Sequence, residues 1–132
     1  MSAIKKTTGR NTHTVVVGDS RNMKEIDSES VHLVILSPPI WKPGGWSKTI
    51  DIGRALKFNS YTASLRLVFE ECLRVLKPGC HLCAHISNEL EHCAAAMKKN
   101  ISPSREIENE LLGAGFIRAG VLFTIRENPQ NG

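Results

Sequence analysis

Residues 31–41 read Val-His-Leu-Val-Ile-Leu-Ser-Pro-Pro-Ile-Trp, an apolar run broken by one hydroxyl and two consecutive prolines. Proline fixes its own φ and has no N–H to give to a ladder, so a central strand cannot continue through Pro38 and Pro39. The carbonyls beside them are held in fixed directions. Ser37 adds a side-chain oxygen there and Pro38 a main-chain oxygen. Two acceptors converging on one point can hold both hydrogens of an exocyclic amino group, which directs the nitrogen lone pair outward toward an electrophile. The carboxyl end of a strand is also where open α/β sheets bind their ligands.

Other chemistry-bearing residues are less committed. Asp19 follows a short β-branched run, His13-Thr-Val-Val-Val-Gly18. By itself it reads as a turn aspartate. Four cysteines occur, Cys72, Cys80, Cys83 and Cys93. Cys80 and Cys83 make a lone C-x-x-C with no second ligand pair at zinc spacing. If residues 80–86 form a strand, alternation puts His81, Cys83 and His85 on one face and Cys80 on the other. Reduced structural thiols are therefore expected, and no metal.

Residues 13–19 and 31–36 read as buried strands, the second so apolar that both faces are expected to be covered. A short helix is expected over 20–26 and a loop over 40–60. Ser60 is placed to cap a helix in which Leu65, Val68, Phe69, Cys72, Val75 and Leu76 recur at helical spacing, stopped by Lys77-Pro-Gly79. A strand follows at 81–86. A helix then starts near Asn88 and Glu91 with Leu90, Cys93, Ala94 and Met97 on one face. Ser102-Pro103 opens another that ends at Gly113 or Gly115, with a last strand over 116–125. Strands alternating with helices predict an α/β fold, a partial Rossmann-like sheet of mostly parallel strands flanked by helices. Residues 1–12 are expected to be a flexible basic leader, 13–127 a single α/β domain and 128–132 a tail.

At 132 residues, 41% hydrophobic and 23% charged, the chain has the composition of one globular domain. A formal charge of +4 permits a polyanionic partner without requiring one. No apolar run reaches the roughly 18–20 residues of a membrane helix, and no signal-peptide pattern opens the chain, so a cytoplasmic protein with no membrane partner is expected.

Ser37-Pro-Pro-Ile40 resembles the (Asp/Asn/Ser)-Pro-Pro-(Tyr/Phe/Trp) motif of DNA methyltransferases that modify adenine N6 or cytosine N4. The flanks are similar too: Gly18-Asp19-Ser20 and Asp27-Ser-Glu-Ser-Val31 before it, and Arg74-Val-Leu-Lys-Pro-Gly79 with His81-Leu-Cys83 after it. Leu111-Leu-Gly-Ala-Gly-Phe116 matches the later helix and strand. The resemblance covers residues 14–126. It implies a methyltransferase-type sheet, S-adenosylmethionine as donor, DNA as partner, and a target base rotated out of the duplex. It places the target amino group on Ser37 and Pro38 within a catalytic segment completed by Pro39, Ile40 and Trp41. Asp19, Ser20 and Ser37 fall on the donor side. The serine form of the motif leans toward cytosine N4. The fourth motif position, normally an aromatic that stacks on the flipped base, is Ile40 here, with Trp41 next to it.

The glycine loop that carries the donor in such folds is not found. Gly113-Ala-Gly115 leaves a helix and enters a strand, the wrong polarity, and Pro43-Gly-Gly45 follows no strand. Many members of the family are circularly permuted, with that half following the catalytic one. Three explanations stand side by side: one subunit of a split enzyme whose second chain brings the loop, a truncated remnant, or part of a longer gene product. The rival reading is a non-catalytic domain that binds DNA or a protein, and a third is a small-molecule methyltransferase. A half-sheet leaves an unfilled edge, so self-association or a partner chain is expected.

Overall fold

A computed structural model describes residues 2–8, 10–43, 51–86, 98 and 100–120. Within them the chain is α/β, with two two-stranded sheets and two α-helices. Strands β1 (Ser2–Thr8) and β2 (Asn11–Val17) pair antiparallel as a hairpin. Strand β3 (Val31–Leu36) pairs in parallel with β4 (Leu76–Ala84), and helix α1 (Phe58–Val75) connects them. Helix α2 (Pro103–Ala114) packs on α1. The β3–α1–β4 unit is the part that carries the Ser37 segment.

Phe58, Tyr61, Leu65, Phe69 and Cys72 fall three and four residues apart and form the buried stripe of α1. With Trp41 and Ile107 they make the core, and Leu36, Ile40 and Phe116 pack against it. The helix starts one residue after Lys57, with no side-chain cap, rather than after Ser60. Burying Phe58 and Tyr61 on the same stripe extends the helix toward its N-terminus. Each buried aromatic is worth about 1.5–3 kcal/mol, more than the roughly 1 kcal/mol of a good cap. Pro103 opens α2, and Gly115 at φ 114° closes it, as the sequence predicts.

Several expectations are corrected. Helix α1 ends at Val75, and Leu76 already pairs with Val31. Lys77-Pro-Gly79 lies in an irregularity of β4, between the Val31–Leu76 and Leu33–His81 pairs, with Gly79 at φ 81°. A proline and a left-handed glycine fit a bulge better than a regular ladder. Strand β2 was expected to be buried, yet each of its residues is exposed: among the described residues it pairs with β1 alone and no second layer covers the hairpin. Strand β1 itself lies within the segment expected as a leader. Residues 20–26 form turns instead of a helix, with Asn22 N–H bonded to Asp19 C=O and Ile26 N–H to Met23 C=O. Among the described residues the β3–β4 pair is covered on one face only: Leu33 is 51% and Ile35 74% exposed on the other. Residues 116–120 carry no regular structure. The expected helix around 88–97, residues 121–125 of the expected last strand, and the 128–132 tail lie outside the described residues.

Among the described residues no helix is long and apolar enough to cross a membrane. Cys72, Cys80 and Cys83 are free thiols. His81, Cys83 and His85 are exposed while Cys80, Leu82 and Ala84 are half-buried, the alternation read from the sequence.

Candidate active site

Ser37 follows the last residue of β3, level with the end of β4. Its hydroxyl donates to the His85 carbonyl at 3.2 Å, and His85 N–H donates to the Leu36 carbonyl at 2.9 Å. With its proton directed to His85, Ser37 Oγ keeps acceptor capacity on an exposed side chain.

The residues after Ser37 are fastened one by one. Pro38 is buried. The Pro39 carbonyl accepts a hydrogen bond from the Tyr61 hydroxyl at 2.9 Å, and Tyr61 is fully buried. A 3-10 turn at Ile52–Arg54, capped by the Asp51 carboxylate on Gly53 N–H at 2.9 Å, presses on the other side. A Cβ on Gly53 would stand 2.5 Å from the Ile40 carbonyl oxygen and 3.3 Å from Pro39 Cβ, so only glycine allows this approach without a shift. Lys42 N–H donates to the Gly53 carbonyl at 2.6 Å. The Trp41 indole donates to the Ala55 carbonyl at 2.8 Å, and its ring meets Phe58 edge-on at 4.9 Å between centroids.

The Pro38 carbonyl is therefore bracketed, by Ser37 on the strand ends and by Pro39 on Tyr61. The two proline rings between these anchors each fix φ, and Pro38, preceding a proline, is restricted to extended backbone.

Ile40 is half-buried against the core and Trp41 is 1% exposed, its ring packed on Phe58. Neither offers an open aromatic face beside Ser37.

Asp19 and Ser20 sit apart, on the turn leaving β2. Asp19 accepts from Arg21 Nε and Nη2 at 3.0 and 2.6 Å and from Arg21 N–H at 2.9 Å. These bonds, the side-chain ones foremost, lower its pKa to about 2. Among the described hydrogen bonds, none joins Asp19 or Ser20 to the Ser37 segment.

Arg74, in the Arg-Val-Leu-Lys-Pro-Gly stretch, has a structural task. Its guanidinium donates to the carbonyls of Met23 and Ile26 at 2.9 and 3.0 Å, while Glu71 accepts Met23 N–H at 2.6 Å. The pair holds residues 23–28 against the end of α1, just before β3. The Arg74 hydrogen bond, followed by the Met23 N–H, lowers the Glu71 pKa. Cys72 next to it is a buried thiol with its pKa raised to about 11 by desolvation and by the Glu71 charge.

The residues that the sequence offered for S-adenosylmethionine are engaged otherwise. Gly115 is spent on the left-handed cap of α2, and a side chain on Gly113 would collide with the Arg66 guanidinium. Asp19 is occupied by Arg21.

Tyr61 and Gly53 are the site residues that sequence reading missed. Tyr61 is the sole tyrosine of the chain and lies on the apolar stripe of α1, where an aromatic reads as core; Gly53 stands in a stretch without period.

The chain is 29% identical over 120 residues to the Type II methyltransferase M.MjaI of Methanocaldococcus jannaschii, an alignment covering 74% of this chain and 40% of the relative. The chain thus spans well under half of that relative's length. No family model matches the chain, and no solved structure matches it at significance.

Proposed function

We propose that this chain is the amino-acceptor half of a DNA methyltransferase with a Rossmann-like sheet, acting on cytosine N4 in preference to adenine N6. The observation that carries the reading is the exposed Ser37 hydroxyl, bonded to the His85 carbonyl at the carboxyl ends of two parallel strands and followed by a Pro-Pro segment fastened through the Pro39 carbonyl to Tyr61. The similarity to a Type II methyltransferase supports it.

In this reading the base amino group donates one hydrogen to Ser37 Oγ and the other to the Pro38 carbonyl. Both bonds draw electron density toward nitrogen and hold its lone pair away from the ring plane. S-adenosylmethionine, held by other residues or by a second chain, would supply the methyl group: N–CH3 would form as its S–CH3 bond breaks to leave the thioether, and one amino proton would be lost to solvent. Ser37 then acts by holding the amino group rather than as a nucleophile.

Mass spectrometry of nucleosides after incubation with S-adenosylmethionine and duplex DNA tests this. N4-methylcytosine that disappears on Ser37→Ala is expected. DNA left unmodified by the chain, alone and with a partner chain carrying a glycine loop, would sink the reading.

A second reading has its own observation. With Ile40 in the motif's aromatic position and Trp41 buried, the site lacks an exposed platform for a flipped base. A non-catalytic domain that binds DNA or a protein is the consequence, and methyl transfer dependent on Ser37 excludes it.

A further inference from the structure

The β1–β2 hairpin plays no part in the site described above. It is a two-stranded ribbon whose described side chains are all exposed. Its composition is divided along its length. Toward the root lie Ile4 opposite Val15, and Val17; toward the tip lie Lys5, Lys6, Arg10 and His13. No residue from 1 to 18 is acidic. The first acid, Asp19, is neutralised by Arg21 at the root.

Register decides where the charges point. Lys6 stands opposite His13 on one face, and Lys5 stands opposite Thr14 on the other. Thr7 and Thr12 meet hydroxyl to hydroxyl at 3.4 Å near the tip. The polar half thus carries a cation on each face and Arg10 at the turn.

We propose that this ribbon is a duplex-DNA contact, seated in the major groove, with Lys5 and Lys6 reaching phosphates on opposite walls and Arg10 leading at the tip. A groove about 12 Å wide admits a two-stranded ribbon, and its two walls present phosphates on both sides of it. A membrane surface calls for cations on one face and apolar residues at the inserted end, the reverse of this layout. Single-stranded nucleic acid calls for aromatic stacking platforms, and residues 1–18 hold no Phe, Tyr or Trp. The choice of DNA rests on the reading under Proposed function, and the ribbon gives that reading a surface on which duplex binds.

The test is fluorescence anisotropy of a labelled duplex titrated with the full chain across a salt series, comparing wild type with the triple variant Lys5→Ala/Lys6→Ala/Arg10→Ala. Removing three phosphate contacts should reduce the slope of log affinity against log salt by about 2.7 and weaken binding near 0.1 M salt on the order of a hundredfold. Lys5→Arg/Lys6→Arg should bind as wild type. Absence of duplex binding by wild type, or a triple variant with unchanged affinity and slope, overturns the proposal. So does a loss confined to phosphatidylserine vesicles or to single-stranded RNA. Methyl transfer by a wild type whose triple variant binds duplex undiminished removes the ribbon and leaves the Ser37 reading. Duplex binding that follows the ribbon charges in a protein that transfers no methyl group does the opposite.

Discussion

Between Ser37 and Lys42 nearly every residue is tied to a different element. Ser37 reaches β4, Pro39 the buried Tyr61 of α1, Ile40 and Lys42 the Gly53 turn, and Trp41 the Ala55 carbonyl. The β1–β2 ribbon is the opposite case: its hydrogen bonds run between its own strands, and its valines face solvent. One region is anchored residue by residue, as a site that must hold atoms within an ångström would be. The other has a shape set by local pairing and side chains left exposed among the described residues. The difference shows that in this chain the tied segment lies where the core reaches the sheet end, and the basic ribbon lies away from that core.

If that contrast holds, truncation at the two regions should differ greatly. Trp41→Ala removes a fully buried aromatic and its hydrogen bond, and should cost about 3–5 kcal/mol in urea denaturation. Val17→Ala in the ribbon, at 63% exposure, should stay within about 0.5 kcal/mol. Equal losses at the two would break the comparison.

Gly53→Ala comes next. The added methyl meets the Ile40 carbonyl, and overpacking of this kind costs about 1–3 kcal/mol. Chemical denaturation checks the size, and hydrogen exchange at Lys42 N–H should quicken as the turn retreats.

Tyr61→Phe is smaller and sharper. It leaves the Pro39 carbonyl without its donor, a cost of about 1–2 kcal/mol. The melt should fall by several degrees, and the Lys42 amide should exchange faster. In an active enzyme kcat should fall more than KM, because the acceptor loses its aim rather than its affinity. An unchanged Lys42 amide would show that Tyr61 only fills space.

The smallest effect is at Asp19. Its folded pKa is depressed to about 2 by Arg21, from an ordinary 3.8. A depressed carboxylate contributes stability that is present above the unfolded pKa and is lost as pH falls through the folded one. The pair should therefore persist at pH 4 and fade between about 3.8 and 2, read as the Asp19 carboxyl shift in an NMR titration. Because the pair is exposed, its effect on global stability should be slight.

How far the sequence reached follows from the range of the forces involved. The Pro38-Pro39 stop, the α1 stripe, the Pro103–Gly115 limits of α2 and the alternation of His81, Cys83 and His85 are local, so periodicity and proline geometry expose them. The Tyr61–Pro39 bond spans 22 residues and the Ser37–His85 bond 48, and no local pattern encodes either. Burial of β2 was misjudged because Val15, Val16 and Val17 look the same in a core strand and in a bare hairpin; only the partner strand decides. Trp41 invited a surface role beside the motif, but its indole was committed to Ala55 and Phe58.

The most direct test of the central claim, that Ser37 and Pro38 hold an amino group, is methyl transfer to duplex DNA by wild type and Ser37→Ala, read as methylated nucleoside by mass spectrometry. The account predicts N4-methylcytosine from wild type and a loss of roughly a hundredfold or more in the variant, whose fold should be intact because Ser37 is exposed. Equal methylation by both proteins would contradict it.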